Sequence, residues 1–249
     1  MPVREWDGSS YDRISATMEA LGRETMERLR LQGDEVILDA GCGSGRITEA
    51  LIERVPRGRV IAIDESPSMV AAARERLGPG ADVRVMDLLE LDLGERVDAI
   101  LSTATFHWIE DHERLFAQLH GALRPGGQLV AQCGGEGNIT TLRGKAQAVV
   151  EREPYAQHFA GWQPPWNYAA AEVTRERLLA AGFAAAECWL QPAPRQPEAP
   201  REFLATIVLG PHVQQLPQEL REPFMDEVLA VLGEPVVVDY VRLNIDATA

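Results

Sequence analysis

The sequence predicts an α/β fold in which helices cover both faces of a doubly wound sheet. An apolar run, Val36–Leu38, is followed by glycines at positions 41, 43 and 45, and a helical pattern begins near Ile47. A second buried-strand pattern, RVIAID at 59–64, also ends in an acid and leads into another helix. A strand, a glycine-rich turn and a helix present backbone N–H groups to a ligand in such sheets.

Composition limits the classes of partner. The 249 residues carry a net charge of −14, from 38 acidic and 24 basic side chains, which disfavours nucleic acid and anionic membranes as partners. The three cysteines (Cys42, Cys133 and Cys188) are far apart and form no CxxC pair, as in a protein with reduced thiols. We see no signal peptide or membrane-spanning run, so we expect a cytoplasmic protein.

The first motif separates two kinds of nucleotide site. In a dinucleotide fingerprint the third glycine follows the second by three residues, whereas here it follows by two. Asp39 lies two residues before the first glycine. The resulting DxGxGxG pattern resembles the first motif of class I S-adenosylmethionine-dependent methyltransferases. In that family the acid binds the cationic amino-acid moiety of the cofactor, and it would repel a pyrophosphate at that place.

This resemblance, over about residues 35–133, implies a Rossmann-like seven-stranded sheet with the last strand antiparallel and an added helical cap. It implies S-adenosylmethionine as cofactor and S-adenosylhomocysteine as product. We expect residues 1–34 to form a helical lid, 35–133 the cofactor-binding core, and 134–249 the rest of the sheet with acceptor-binding insertions. These parts are expected to make one compact domain.

The N-terminal segment contains two aromatic residues, Trp6 and Tyr11, before a helical pattern that runs from Ile14 to Leu29. One interpretation is that they pack this helix on the domain. The other, which the resemblance favours, is that they cover the cofactor as a lid. Both interpretations stay open at this point.

Acids at the ends of the second and third strands are the next candidates. Asp64 lies 25 residues beyond Asp39, about where an acid grips ribose hydroxyls, although an acid before Pro67 is also a typical helix N-cap. The third strand, expected over 82–87, ends in Asp87. In the family, the acid in this turn takes the adenine amino group and the next backbone N–H, here of Leu88, meets the ring. Glu90 and Asp92 are rivals for this role.

The fourth strand, VDAILS at 97–102, leads into TATFHWIED. In the family this stretch lies beneath the reactive sulfonium, and Thr103 stands where asparagine is frequent. His107 is either a general base for a neutral acceptor or a donor to a carboxylate. Packing of His107 on the next helix is an equally good interpretation. No Asn/Asp-Pro-Pro-Tyr/Phe stretch follows, which argues against methylation of nucleic-acid bases.

After LRPGG and the fifth strand, QLVAQC, the regular alternation of strands and helices stops. A helix is expected at 140–151, followed by an aromatic segment at 153–170. The family places its acceptor site in insertions here, and aromatic side chains suit a small organic acceptor. Anchoring of the loop is the alternative. Arg143 is a candidate clamp for an acidic acceptor.

The rest of the chain predicts a sixth strand at AECWL, an extended proline-rich link and two helices at 201–209 and 218–232. The last strand is expected over 236–247, and its Arg242 is a second candidate for binding an anionic acceptor. The predicted cofactor contacts are Tyr11, Asp39, Gly41, Gly43, Gly45, Asp64, Glu65, Met69, Asp87, Leu88 and Thr103. The predicted acceptor contacts are Trp6, His107, Trp108, Arg143, Trp162, Trp166, Tyr168 and Arg242.

The start of the chain, FHWIEDH after the fourth strand and the helices between the last two strands are similar to the trans-aconitate methyltransferase group. The resemblance implies methylation of a small organic molecule, and we expect O-methylation of a carboxylate without a metal ion. Alternatives are O- or C-methylation of a phenolic or other natural product, a nicotinamide-dependent oxidoreductase and a non-catalytic cofactor-binding regulator. We expect a monomer or a weak homodimer.

Overall fold

The computed structural model describes residues 16–249, with side chains described from Glu19 onward. Its seven strands are β1 (Val36–Ala40), β2 (Arg59–Asp64), β3 (Asp82–Val85), β4 (Val97–Thr103), β5 (Leu123–Gly134), β6 (Ala185–Pro192) and β7 (Val241–Thr248). The described α-helices are α1 (Ala16–Met26), α2 (Arg46–Arg54), α3 (Pro67–Leu77), α4 (His112–Ala122), α5 (Thr140–Val150), α6 (Ala171–Ala180), α7 (Pro200–Phe203), α8 (Gly210–Gln215) and α9 (Gln218–Leu232). No described helix is both long enough and apolar enough to cross a membrane.

The strands form one sheet in the order β3-β2-β1-β4-β5-β7-β6. Strands β1 to β5 pair in parallel, whereas β7 runs antiparallel to β5. The chain order reverses between β1 and β4, and ligands bind at such switch points outside the carboxyl ends of the strands. The predicted Rossmann-like sheet with an antiparallel last strand is confirmed.

Alternation along each strand supplies a core on both faces of the sheet. Ile37 packs with Met26 and Leu51 from α1 and α2, whereas its neighbour Leu38 belongs to the cluster that contains Leu115 of α4. Successive side chains of a strand point to opposite faces, so a strand buried on both faces is apolar throughout. The doubly covered sheet therefore fixes the carboxyl ends of β1, β2 and β4.

The chain divides into two compact units. Unit 1 contains residues up to Glu136, 167–191 and 242–249, and it holds most of the sheet. Unit 2 contains residues 137–166 and 192–241, and it is mainly helical. Each unit is described separately below.

Several strand boundaries differ from the sequence prediction, and three of the differences follow from particular hydrogen bonds or pairings. β3 ends at Val85 because the Asp87 side chain accepts the N–H of Leu89 at 2.8 Å and starts a 3₁₀ turn. β5 begins at Leu123, since this residue already pairs with Val97 ahead of a bulge. β7 begins at Val241, because the chain before it pairs elsewhere, with Val238 bridging to Arg195.

The helix predicted at 201–209 is interrupted. α7 passes into a π-helical turn at Leu204–Val208, and α8 then begins at Gly210 with Pro211 in its first turn. Proline fits the first turn of a helix, where its missing N–H costs no hydrogen bond. Pro211, which lies between the two helices expected at 201–209 and 218–232, therefore opens a third.

Candidate functional site

The loop after β1 forms one wall of the candidate site. The N–H groups of Gly41 and Cys42 both donate to the carbonyl of Ile63, each at 2.9 Å, which holds the loop against the end of β2. Gly41 has φ +83°, and a Cβ there would lie 2.2 Å from Oγ1 of Thr105. Only glycine meets both conditions, the left-handed backbone and the close approach to the loop after β4.

Gly43 has a different role in this loop. Its φ is +54°, and no other atom of the described residues lies within 4 Å of the place a Cβ would take. This side of the loop is open, as a surface approached by a ligand must be. Gly45 has φ +83° and is the residue before α2, so the open side of the loop leads to a helix N-terminus.

Asp39 is fully buried beneath the loop. Its Oδ2 accepts a 2.6 Å hydrogen bond from the hydroxyl of Thr48, whereas Oδ1 has no hydrogen-bond partner among the described residues. Burial raises the pKa of Asp39 to about 7. A buried carboxylate oxygen without a partner is costly, and a cationic or hydrogen-bond-donating ligand group would satisfy it.

Asp64, at the end of β2, is held by backbone groups. Its Oδ2 accepts the N–H of Gly43 and its Oδ1 the N–H of Ser66, each at 2.9 Å. Burial raises the pKa of Asp64. The N-cap of α3 is Ser66, whose hydroxyl accepts the N–H of Met69. Asp64 therefore joins two loops, and each of its oxygens keeps a lone pair with which to accept from a ligand.

Two further acidic residues follow β2 and β3, namely Glu65 and Asp87. Burial, followed by the charges of Asp87 and Asp64, raises the pKa of Glu65. The Leu88 and Met69 side chains are buried, and the N–H that the Asp87 carboxylate accepts is that of Leu89. The carboxyl ends of β1, β2 and β3 thus bring together acids that accept hydrogen bonds and repel phosphates.

S-adenosylmethionine fits this wall by its chemistry. The cofactor offers donors where the wall offers acceptors: an ammonium group, two ribose hydroxyls and an adenine amino group. The open side of Gly43 and the unpartnered Oδ1 of Asp39 leave a cradle for it. A nicotinamide dinucleotide would instead place a diphosphate beside buried carboxylates.

The loop after β4 forms the opposite wall. It turns sharply at Ala104, which has φ +57°, and then carries the buried His107. The His107 ring stacks on Tyr168 with 5.9 Å between centroids, and its Nδ1 accepts the N–H of Gly134 at 3.4 Å. The carbonyl of His107 accepts the N–H of Asn167 at 2.9 Å, so these contacts join three separate chain segments.

Arg242 reaches the same end of the sheet from β7. In the antiparallel register it pairs with Gly134, the residue whose N–H His107 accepts. Arg242 is 3% exposed, and its Nε donates to Oε1 of Gln132 at 3.3 Å. Its charge also lowers the pKa of the neighbouring Cys133 thiol, although burial outweighs this effect and raises that pKa to about 11. Arg242 thus has a buried guanidinium, and its backbone pairs with the residue that contacts His107.

The other predicted site residues fall into three groups. Trp6 and Tyr11 lie outside the described residues. Thr103 and Trp108 belong to unit 1, where Thr103 pairs with Gln132 and the Trp108 ring lies 5.0 Å from that of His107. The remaining three, Arg143, Trp162 and Trp166, belong to unit 2.

Within unit 2 the predicted aromatic residues surround a histidine that the sequence did not single out. The ring of His212 lies 4.8 Å from Trp162 and 5.7 Å from Trp166 between centroids, and the guanidinium of Arg143 lies 5.5 Å from Trp166. Burial lowers the pKa of His212 to about 4. A neutral, buried histidine in an aromatic cluster indicates a role in packing of this unit. The sequence around a single histidine does not show whether it is buried among aromatic residues.

Comparisons with known proteins agree with this geometry. A family model described as a methyltransferase domain matches residues 37–127. A trans-aconitate 2-methyltransferase of Paracidovorax citrulli is 30% identical over 239 residues, covering 90% of this chain and 87% of its own. The chain belongs to the class I S-adenosylmethionine-dependent methyltransferases. An uncharacterised methyltransferase of Schizosaccharomyces pombe is 29% identical over 74% of this chain and 72% of its own.

The similarity to some relatives is partial. A trans-aconitate 2-methyltransferase of Acidovorax ebreus is 34% identical, but the match covers only 52% of this chain and 50% of that protein. A high identity confined to part of the chain is typical of a shared cofactor-binding core with divergent acceptor regions. The cofactor is therefore assigned by family, and the acceptor requires its own evidence.

Solved structures agree on the fold. A phosphoethanolamine N-methyltransferase of Haemonchus contortus, in complex with S-adenosyl-L-methionine, aligns with a TM-score of 0.62 at 19% identity over 97% of this chain and 56% of that one. The YcgJ protein of Bacillus subtilis aligns with a TM-score of 0.61 at 14% identity over 92% of this chain and 97% of its own. These structures show the fold alone. It is the similarity to the Paracidovorax citrulli relative that makes the chain an S-adenosylmethionine-dependent methyltransferase and contradicts the oxidoreductase alternative.

Proposed function

We propose that this enzyme methylates a carboxylate oxygen of a small organic acid. The observation that carries the proposal is the buried guanidinium of Arg242, a residue whose backbone pairs with Gly134, which in turn contacts His107. Guanidinium groups bind carboxylates through two parallel hydrogen bonds. The trans-aconitate 2-methyltransferases among the relatives, at 29–34% identity, support an acidic acceptor of this kind.

The cofactor-binding wall proposed here consists of the Gly41–Gly45 loop with Asp39, Asp64 and Asp87. When bound, S-adenosylmethionine supplies a sulfonium methyl group that passes in line to the acceptor oxygen and leaves S-adenosylhomocysteine. Asp39 would hold the ammonium group, Asp64 the ribose and Asp87 the adenine. Holding both reactants in register is the main contribution of the protein to such a displacement.

His107 would act as a hydrogen-bond donor. Its Nδ1 accepts the N–H of Gly134, so the neutral ring carries its hydrogen on Nε2. A donor at Nε2 suits a carboxylate acceptor, which is already a nucleophile and needs no base. A phenol or an activated carbon would need a base instead, so this tautomer favours the acid over the natural-product alternative.

The test combines product chemistry with one substitution. We expect methyl transfer from labelled S-adenosylmethionine to a panel of small carboxylic acids, beginning with trans-aconitate. A methyl ester releases labelled methanol in mild alkali, whereas a phenyl ether or a C-methyl group does not. Arg242→Met should raise KM for the acid on the order of 100-fold, the size expected for truncating one partner of a buried charge pair.

The controls separate binding from folding. Affinity for S-adenosylhomocysteine, measured by calorimetry, should stay within about threefold in Arg242→Met, because the cofactor wall is formed by other strands. Arg242→Lys should recover part of the loss by keeping the charge without the two-pronged geometry. Alkali-stable products, or an unchanged KM in Arg242→Met, would contradict the proposal.

A further inference from the structure

A set of buried polar side chains crosses one face of the sheet in unit 1. Gln132 of β5, Asn244 of β7 and Arg242 are 5%, 0% and 3% exposed. Arg28, beyond the end of α1, reaches this set from the helix layer, where its guanidinium lies 5.1 Å from the Trp189 ring of β6. Burying so many polar groups is costly unless their hydrogen bonds are fully arranged.

The donors and acceptors of this hydrogen-bond network can be assigned one after another, starting from Arg28. Its Nη1 lies 2.6 Å from the Asn244 side-chain amide, and its Nε pairs with Asp246 at 3.0 Å. A guanidinium can only donate, so the Asn244 atom that it contacts must be the carbonyl oxygen, Oδ1. This contact assigns the orientation of the Asn244 amide, which geometry alone would leave open.

The orientation of the Asn244 amide in turn fixes the orientation of the Gln132 amide. The same Oδ1 of Asn244 accepts from Nε2 of Gln132 at 2.9 Å, so the Gln132 carbonyl oxygen must point the other way. That oxygen, Oε1, accepts the Nε–H of Arg242. The nitrogen of the Asn244 amide, Nδ2, donates to Gln191 at 3.3 Å. The side-chain amides of Asn244 and Gln132 therefore each have one possible orientation.

We propose that Gln132 and Asn244 are positioning residues for acceptor binding, because together they fix the guanidinium of Arg242. This inference rests on the proposed function. With its Nε–H directed to Gln132, the guanidinium of Arg242 has a fixed plane in which a carboxylate would meet it. A neutral amide holds the guanidinium without neutralising it, whereas a carboxylate at position 132 would form an ion pair and compete with the acceptor.

Two near-isosteric substitutions test this inference, with trans-aconitate or the panel acid of highest turnover as probe. Gln132→Glu should raise KM for the acid at least about tenfold, because the new carboxylate occupies the Arg242 guanidinium, while kcat changes less than about threefold. Asn244→Asp should keep KM within about threefold, since it still accepts from Arg28 and Gln132. Asn244→Leu should raise KM about tenfold, because both donors lose their acceptor.

A matched control lies on the same strand and face. Gln128→Glu makes the same change four residues earlier, where the amide donates to the carbonyl of Arg30 at 2.8 Å, and it should leave KM unchanged. Melting temperature and S-adenosylhomocysteine affinity report folding. If Asn244→Leu does not fold, the Gln132→Glu and Gln128→Glu pair still decides the outcome.

The two proposals fail in different ways. An unchanged KM in Gln132→Glu, together with a raised KM in Arg242→Met, overturns the positioning roles and leaves the proposed function intact. An unchanged KM in Arg242→Met overturns the proposed function itself. An equal rise in Gln128→Glu and Gln132→Glu would show that any added charge on this strand has the effect, which also overturns the positioning roles.

Discussion

Two regions of unit 1 are built differently: the loops after β1 and β2, and the polar side chains of β5 and β7. At the proposed cofactor end, formed by the loops after β1 and β2, the Asp64 carboxylate is held by backbone N–H groups from residues 21 and 2 positions away. At the proposed acceptor end, Arg242, Gln132, Asn244 and Arg28 are held by one another, with partners 110 to 216 positions apart. The cofactor end depends on local backbone geometry, whereas the acceptor end depends on the tertiary fold.

This difference suits the two ligands. Methyltransferases share one cofactor, so a backbone cradle set by glycines serves every member. Acceptors differ among relatives, and a network of side chains can change by substitution without altering the sheet. The partial match to the Acidovorax protein agrees with this division.

The largest expected effect is from adding a Cβ to the backbone cradle. Gly41→Ala would place its Cβ 2.2 Å from Thr105 Oγ1 in a residue with φ +83°. We expect a loss of about 2–5 kcal/mol in unfolding free energy, from backbone strain together with overpacking. Urea denaturation measures it.

The control for this substitution separates the two causes. Gly94→Ala shares the left-handed backbone, with φ +75°, but no other atom lies within 4 Å of its Cβ position. It should cost only about 1 kcal/mol. Equal losses in the two variants would mean that the close approach of the loops after β1 and β4 adds nothing to the cost of a side chain at position 41.

A smaller effect is expected from changing the acid that joins the cofactor loops. Asp64→Asn replaces one acceptor oxygen by an NH₂ group that faces a backbone N–H, of either Gly43 or Ser66. We expect S-adenosylhomocysteine to bind about 100-fold more weakly by calorimetry, since an unsatisfied donor and a displaced loop both oppose binding. Asp92→Asn, in a similar turn that accepts the N–H of Gly94, is the control and should bind normally.

The third effect is a pH dependence at the cofactor end, and it is the smallest when counted per pH unit. The pKa of Asp39 is raised by burial to about 7, above its unfolded value, so its contribution to stability is complete at low pH and is lost as pH rises toward 7. The ligand-free protein should lose up to about 1.4 kcal/mol per pH unit from this group between pH 5 and 7.

Cofactor binding should show the opposite trend. An ammonium group beside Asp39 favours the ionised carboxylate, so affinity for S-adenosylmethionine should rise up to tenfold per pH unit over the same range, with release of a proton. Calorimetry in buffers of different ionisation enthalpy measures that proton. A pH dependence that persists in Asp39→Asn would assign it to another group.

The sequence predicted the glycine-rich loop and the strands beside it because their signals are local, and the cofactor contacts assigned there to single residues stay predictions. The DxGxGxG spacing, the acids at the ends of β2 and β3, and the order of strands all lie within short stretches. Element boundaries were less accurate where tertiary contacts extend or end a strand, as at Leu123 and Val241.

The residues that we propose for acceptor binding were named only in part from the sequence. Arg242 was a candidate, whereas Gln132, Asn244 and Arg28 were not. Their signal was polar residues alternating with apolar ones along buried strands, in QLVAQC and VRLNIDA. Alternation shows that polar groups share a face, but it does not tell which groups meet across neighbouring strands.

The sequence by itself determined the sheet, its glycine-rich loop and the class of cofactor, because these follow from backbone conformation and residue periodicity. The tertiary structure alone decided that Arg28 orients Asn244, that Asn244 orients Gln132, and that Gln132 holds Arg242. Those contacts join β5, β7 and the end of α1 across more than 100 positions, and only the pairing of the strands brings them within hydrogen-bond distance.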